Sequence, residues 1–211
     1  MRLDRLVLIV VTSSAALPLA ACGASHASGT GVIKVDAPVV PSARPAAPKP
    51  STVAAVTFAA KVTGSKAYIA LAARGNKAIA YVCDGRRVES WLHGTTTGGL
   101  LILTGPNGGR IVGTVDGGLA TGSFRLTTGS WQFQAPVVRP PSGLYQASAI
   151  VRRARVRAGW IVLPSGKQVG LLTRDGVRAP APRIDPSSTE SVVIDGKRVR
   201  FEPAYEYEAG R

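Results

Sequence analysis

The chain is poor in the residues that build catalytic and metal sites. It has two cysteines, two histidines and one methionine among 211 residues. Two cysteines cannot make a disulfide-rich scaffold. One histidine, His26, lies in a Pro- and Ala-rich stretch, which leaves His93 alone in the folded part. That is too few for zinc-type ligand spacing, so no metal and no cofactor is expected. No glycine cluster is followed by the Lys-Ser/Thr of a phosphate loop. No serine sits in a nucleophile-elbow pattern. Acidic residues number 12 against 26 basic ones, so paired carboxylates for acid–base work are scarce as well. A spanning helix needs roughly 20 mostly apolar residues. The longest apolar stretch, Leu6 to Ala21, is broken by Thr12, Ser13, Ser14 and Pro18.

That interrupted stretch is informative in another way. It follows Arg2 and Arg5 and ends in Leu19-Ala20-Ala21-Cys22. A basic start, a short apolar run and small residues before a cleavage point describe a secretory signal. The four-residue end resembles the lipobox of bacterial lipoproteins. The resemblance covers about the first 22 residues. It implies cleavage before Cys22, a lipid on that thiol and an acylated protein held at the extracytoplasmic face of a cell membrane. A single acyl chain binds reversibly, whereas two give stable attachment. With Cys22 lipidated, Cys83 has no partner, which fits one modified cysteine better than a disulfide. The Ala-, Gly- and Arg-rich composition resembles that of proteins from high-GC actinobacteria.

Loss of residues 1–21 removes Arg2, Arg5 and Asp4, leaving 24 basic and 11 acidic residues and a net charge of +13. Residues 22–53 form a lipid-anchored tether rich in Ala, Pro, Ser and Gly, a composition that cannot bury a core. Such a segment reaches roughly 30 Å on average. About 150 residues remain, enough for one ordinary domain.

The signal in that remainder is β. Asp84-Gly85, Asp116-Gly117, Asp175-Gly176, Asp195-Gly196 and Asn107-Gly108 are tight-turn pairs set between short apolar runs. Strands are expected at Val56–Val62, Ala67–Ala73, Ala78–Cys83, Val88–His93, Leu100–Thr104, Arg110–Val115 and Ala120–Leu126. More are expected at Trp131–Val138, Leu144–Val151, Gly159–Leu163, Gln168–Thr173, Val192–Ile194 and Val199–Glu202. Gly98-Gly99, Gly108-Gly109 and Gly117-Gly118 each open a short apolar run, a loose internal echo. Successive hairpins predict an all-β antiparallel meander over residues 54–178, closed as a small barrel or folded as a sandwich. Residues 179–211 read as a Pro-marked linker and a C-terminal hairpin, fraying from Tyr205. Leu144–Ala158 is ambiguous between helix and strand. Alternation favours a strand, with Arg153, Arg155 and Arg157 on one face.

Candidate chemistry is sparse. Cys83 and His93 could form a thiol–imidazole pair, but Cys83 ends the apolar run Ala78–Val82 and reads as a small core residue. No catalytic residue is assigned. Trp131, Phe133 and Trp160 could line an apolar pocket at a barrel mouth, against the plainer reading of core packing. Arg152, Arg153, Arg155 and Arg157 form a basic group suited to a polyanion. The expected function is non-catalytic binding of an anionic envelope polymer, a lipid-like ligand or a membrane protein, at a membrane reached through the lipid anchor. Nucleic acid is not expected at such a location. Two other roles stand beside this one: an accessory subunit docking through the C-terminal hairpin, and an envelope hydrolase with an unrecognised site.

Overall fold

A computed structural model describes residues 53–205. Cys22, the signal, nearly all of the tether and residues 206–211 lie outside the described residues. The first eight strands are β1 (Val56–Lys61), β2 (Tyr68–Arg74), β3 (Lys77–Cys83), β4 (Glu89–Thr97), β5 (Leu100–Thr104), β6 (Arg110–Asp116), β7 (Leu119–Leu126) and β8 (Gly129–Val138). They form a closed antiparallel barrel in simple meander order. The seam pairs Thr57 with Val138 and Phe58 with Val137, and Thr63 N–H donates to the Gln132 carbonyl at 3.1 Å. Closure leaves the barrel no free edge.

Strand alternation explains the interior. Phe58, Ile69, Leu71, Ala80, Val82, Leu92, Leu101, Leu103, Ile111, Phe124 and Phe133 point inward and are buried. On β5 to β8 the intervening residues are mostly solvated, which is the reverse of a membrane-spanning barrel. Gly113 and Gly122 pair across β6 and β7. A Cβ on Gly113 would lie 2.2 Å from the Thr121 carbonyl oxygen, so the two backbones meet where no side chain fits.

β2 and β3 differ from the other strands. Their runs Tyr-Ile-Ala-Leu-Ala-Ala-Arg and Lys-Ala-Ile-Ala-Tyr-Val-Cys are buried almost throughout. The reason is a second layer. β9 (Gly143–Val151), β10 (Ala154–Val162), β11 (Gln168–Arg174), β12 (Val177–Pro180), β13 (Ser191–Ile194), β14 (Lys197–Arg200) and β15 (Glu202–Pro203) complete the chain. Five of them make an open sheet in the order β12-β11-β10-β9-β15. One face of this sheet, through Leu144, Ile161, Val169 and Leu171, packs on Ala59, Ala70, Ala72, Ile79 and Tyr81 of the barrel wall. The other face carries Tyr145, Ala158, Trp160 and Val162 and is covered by the β13–β14 hairpin through Val192, Ile194 and Val199, with Phe201 just beyond it.

The strap between β12 and β13 is pinned to the same face. Trp160 Nε1 donates to the Pro182 carbonyl at 2.7 Å. Gln168 bonds both polar groups of the Ile184 backbone, at 2.7 and 3.0 Å.

The domain is therefore all-β and antiparallel, and the closed barrel carries an additional sheet. Each of the thirteen expected strands overlaps an observed one. Leu144–Ala158 is strand at both ends, but Arg152 and Arg153 interrupt it as a two-residue hairpin turn with φ of 49° and 66°. The C-terminal hairpin neither extends the barrel nor protrudes, because its apolar residues lie against the second sheet.

Candidate functional site: an arginine-lined groove

The β9–β10 turn sets the direction of the basic group. Val151 pairs with Ala154 across it, so side chains alternate from that point. Val156, Ala158 and Trp160 face the hairpin. Arg155 and Arg157 take the opposite face, the one that farther along the strand meets the barrel. There they line a groove with Arg153, Ile150, Thr173 and Asp175. Arg152 parts from the group. Its guanidinium reaches toward the β13–β14 turn, 3.9 Å from where a Cβ on Gly196 would lie.

Asp175 is the carboxylate in the groove, and it is held by the backbone. Arg155 N–H donates to its Oδ1 at 2.9 Å, and Asp175 N–H donates to the Arg155 carbonyl at 3.1 Å. The guanidiniums of Arg153, Arg155 and Arg157 are exposed and make no ion pair among the described residues. Arg155 and Arg157 lie two residues apart on one strand face, roughly 7 Å. This is a row of solvated cations with one neutralising group nearby, a surface that attracts anions.

The inner end of the groove is built against the barrel. Trp91 of β4 and Arg157 line a small adjoining cleft with Gln146 and Ser148. Trp91 lies on Tyr81, ring centroids 4.2 Å apart. Both rings press on Gly159, where a Cβ would come within 2.5 Å of the Trp91 ring. Glycine is needed there because the indole and phenol occupy the space a side chain would take.

Glu89 joins the layers beside these rings. It accepts from Tyr81 Oη at 3.2 Å and from Thr173 Oγ1 at 3.1 Å, and it pairs with Arg178 Nε at 3.3 Å. Burial first, then the neighbouring Cys83 and Glu89, push the Tyr81 phenol far above its ordinary value. It stays a neutral donor. In the sequence Glu89 is an isolated carboxylate at the start of a strand, with no motif around it. Its place opposite a tyrosine, facing β11, depends on the layer packing.

The remaining candidates are dispersed. Cys83 is fully buried and accepts from Gly85 N–H at 3.2 Å. Burial pushes its thiol up to about 11, away from thiolate reactivity. It pairs with Glu89, whereas His93 pairs with Ile79, four residues or roughly 13 Å along the strand. The structure does not bring the thiol and the imidazole together.

Nor does it unite the three aromatic residues. Phe133 is inside the barrel and Trp131 packs at its margin. Trp160 is buried between the second sheet and the hairpin.

Asp84 serves as a loop anchor. Partial burial raises its carboxyl, but N–H donors from Arg86, Arg87 and Val88 at 2.8, 2.8 and 2.9 Å outweigh this and hold it below the ordinary value. Among the described residues no group of three His, Cys, Asp or Glu could hold a metal. No described helix is long and apolar enough to cross a membrane. Comparison with family models, with curated proteins and with solved structures finds no match for this chain.

Proposed function

We propose that this chain is an extracytoplasmic lipoprotein, anchored through Cys22, whose β domain binds an anionic polymer without transforming it. The groove of Arg153, Arg155 and Arg157 carries this reading. Three exposed cations that make no ion pair among the described residues line one groove, and Arg157 also borders the small cleft beside Trp91. The basic balance of the whole chain supports the same partner class. The hairpin supports docking less well, because its apolar face is already covered. Among the described residues the one thiol and the imidazole of His93 stand apart, so a hydrolase reading draws no support from that pair.

The test is titration of the mature chain with inorganic polyphosphate and with polyglutamate, at low and at physiological salt. Binding should weaken steeply with salt. Exposed charge contacts contribute up to about 1 kcal/mol each, so Arg155→Ala with Arg157→Ala should cost about tenfold in affinity. Binding that ignores both salt and the double substitution would remove the groove from consideration. The anchor is read separately, by the intact mass of the protein extracted from its host. Cys22→Ser should release it from membranes or stall its maturation.

A further inference from the structure

The two ends of the barrel are unlike. At one end lie the start of β1, the end of β8 and the turns joining β2 to β3, β4 to β5 and β6 to β7. The last two turns are Gly98-Gly99, followed by Leu100, and Gly117-Gly118, followed by Leu119. Both leucines face outward and are 46% and 39% exposed. Val56 and Val137 lie at the same end, 43% and 44% exposed, and Val53 is 57% exposed. The opposite end is polar and the more basic of the two, with Lys61, Lys66, Arg86, Arg87, Arg110 and Arg125 exposed in its loops and strand ends. The barrel's other exposed large apolar side chains among the described residues, Ile102 and Val112, lie on the wall of β5 and β6, 37% and 39% exposed.

The glycine echo of the sequence thus has a spatial meaning. Its first and third copies fall at the same end, and the second, at Gly108-Gly109, falls at the other.

The apolar end is also where the chain comes in from its N-terminal segment, through Val53 to β1. Thirty residues separate Cys22 from Val53. Among the described residues Arg74, Lys77, Arg139 and Asp116 adjoin this end, and the Arg74 guanidinium lies over the Tyr205 ring, 4.5 Å from its centroid. Aliphatic side chains at the end where the chain arrives from Cys22 suit the headgroup and acyl boundary of a bilayer, and the basic balance of the whole chain suits an anionic one. We infer that the barrel end bearing the Gly98-Gly99-Leu100 and Gly117-Gly118-Leu119 turns rests on an anionic lipid surface. This builds on the reading of Cys22 as the lipid-bearing residue, which supplies the high local concentration that a small apolar rim requires.

Hydrogen exchange of the full mature chain tests it, in nanodiscs of phosphatidylglycerol and free in solution as Cys22→Ser. Amides at residues 98–100 and 117–119 should slow several-fold on the disc, with those at 106–109 unchanged. Leu100→Ser with Leu119→Ser, both at solvent-facing positions, should abolish the slowing and leave exchange in the barrel core as before. Equal slowing at both ends, or none at either, overturns the inference. The mass of Cys22 in the same sample separates the two claims. Acylated protein with unprotected turns sinks the surface and keeps the anchor. Protected turns without acylation keep the surface and sink the anchor. Neither acylation nor protection sinks both.

Discussion

The barrel and the second sheet solve the same problem differently. The barrel buries its apolar side chains against one another and satisfies its backbone by closing, so most of its wall can face water. The second sheet is open and apolar on both faces near its centre, and it needs cover on each. The barrel supplies one cover and the hairpin with its strap supplies the other. The barrel core combines aliphatic and alanine side chains with Phe58, Phe124 and Phe133. The outer core of the sheet is aromatic, with Trp160 and Phe201 6.1 Å apart and Tyr145 edge-on to Phe201 at 5.9 Å. Where the sheet runs past its cover, it displays the arginines.

The sharpest way to separate the two regions is Trp160→Ala. Loss of a buried tryptophan should cost about 3–5 kcal/mol. By hydrogen exchange, amides of β10, β13 and β14 should lose protection before those of β5 to β7. Simultaneous loss in both regions would show a single cooperative unit.

Next comes Glu89→Ala, which cuts the polar link between the layers. Hydrogen bonds to a mostly buried charged acceptor make a loss of about 2–3 kcal/mol the expected result of a denaturant titration. No change would mean that apolar contact alone joins the layers.

The turn swap Arg152→Asn with Arg153→Gly should act in the opposite direction. Two non-glycine residues at positive φ are strained, and Asn-Gly fits such a turn. Stability should rise by about 1–2 kcal/mol while polyanion affinity falls. A gain in stability with unchanged affinity would take Arg153 out of the groove's function.

The smallest effect is that of Asp84→Asn, about 1 kcal/mol or less for a half-exposed loop acceptor. The folded carboxyl is depressed, so its contribution is complete above the ordinary aspartate value of about 3.9. It is lost as pH falls through the lower folded value. Thermal melts of wild type and variant should converge as pH falls below that depressed value.

Much of this fold was legible because β-structure declares itself through turns and alternation. The Asp-Gly and Asn-Gly pairs fall at turns, where Gly85, Gly108, Gly117, Gly176 and Gly196 all have positive φ. The Arg152-Arg153 turn was not legible, since arginine carries no turn chemistry and the surrounding alternation reads straight through it. β12 was missed because it is short and ends in proline, and Glu202 of β15 was read as the end of β14. The division into barrel and covering sheet left a trace in the unbroken apolar runs of β2 and β3, which fit burial on both faces better than a half-solvated wall.

At the site, alternation placed Arg155 and Arg157 together. The parting of Arg152 and the approach of Trp91 and Glu89 depend on which faces meet, and local sequence does not encode that. Trp131, Phe133 and Trp160 are all strand aromatics, yet neighbours in composition proved to belong to different cores.

The covering of β2 and β3 also bears on the order in which the molecule is made. β1 is among the first parts of the domain synthesised, and its partner β8 arrives some 80 residues later. Each intervening hairpin can zip locally, so only the final seam carries a long-range closure cost. Even then Ala59, Ala70, Ile79 and Tyr81 remain bare until β9 to β11 follow. A nascent chain that halts near Val138 would present a finished barrel with a greasy flank, the kind of surface that draws chains into aggregates. The second sheet thus completes the molecule's solubility as it emerges, and mutations that delay its docking should show first as loss of yield.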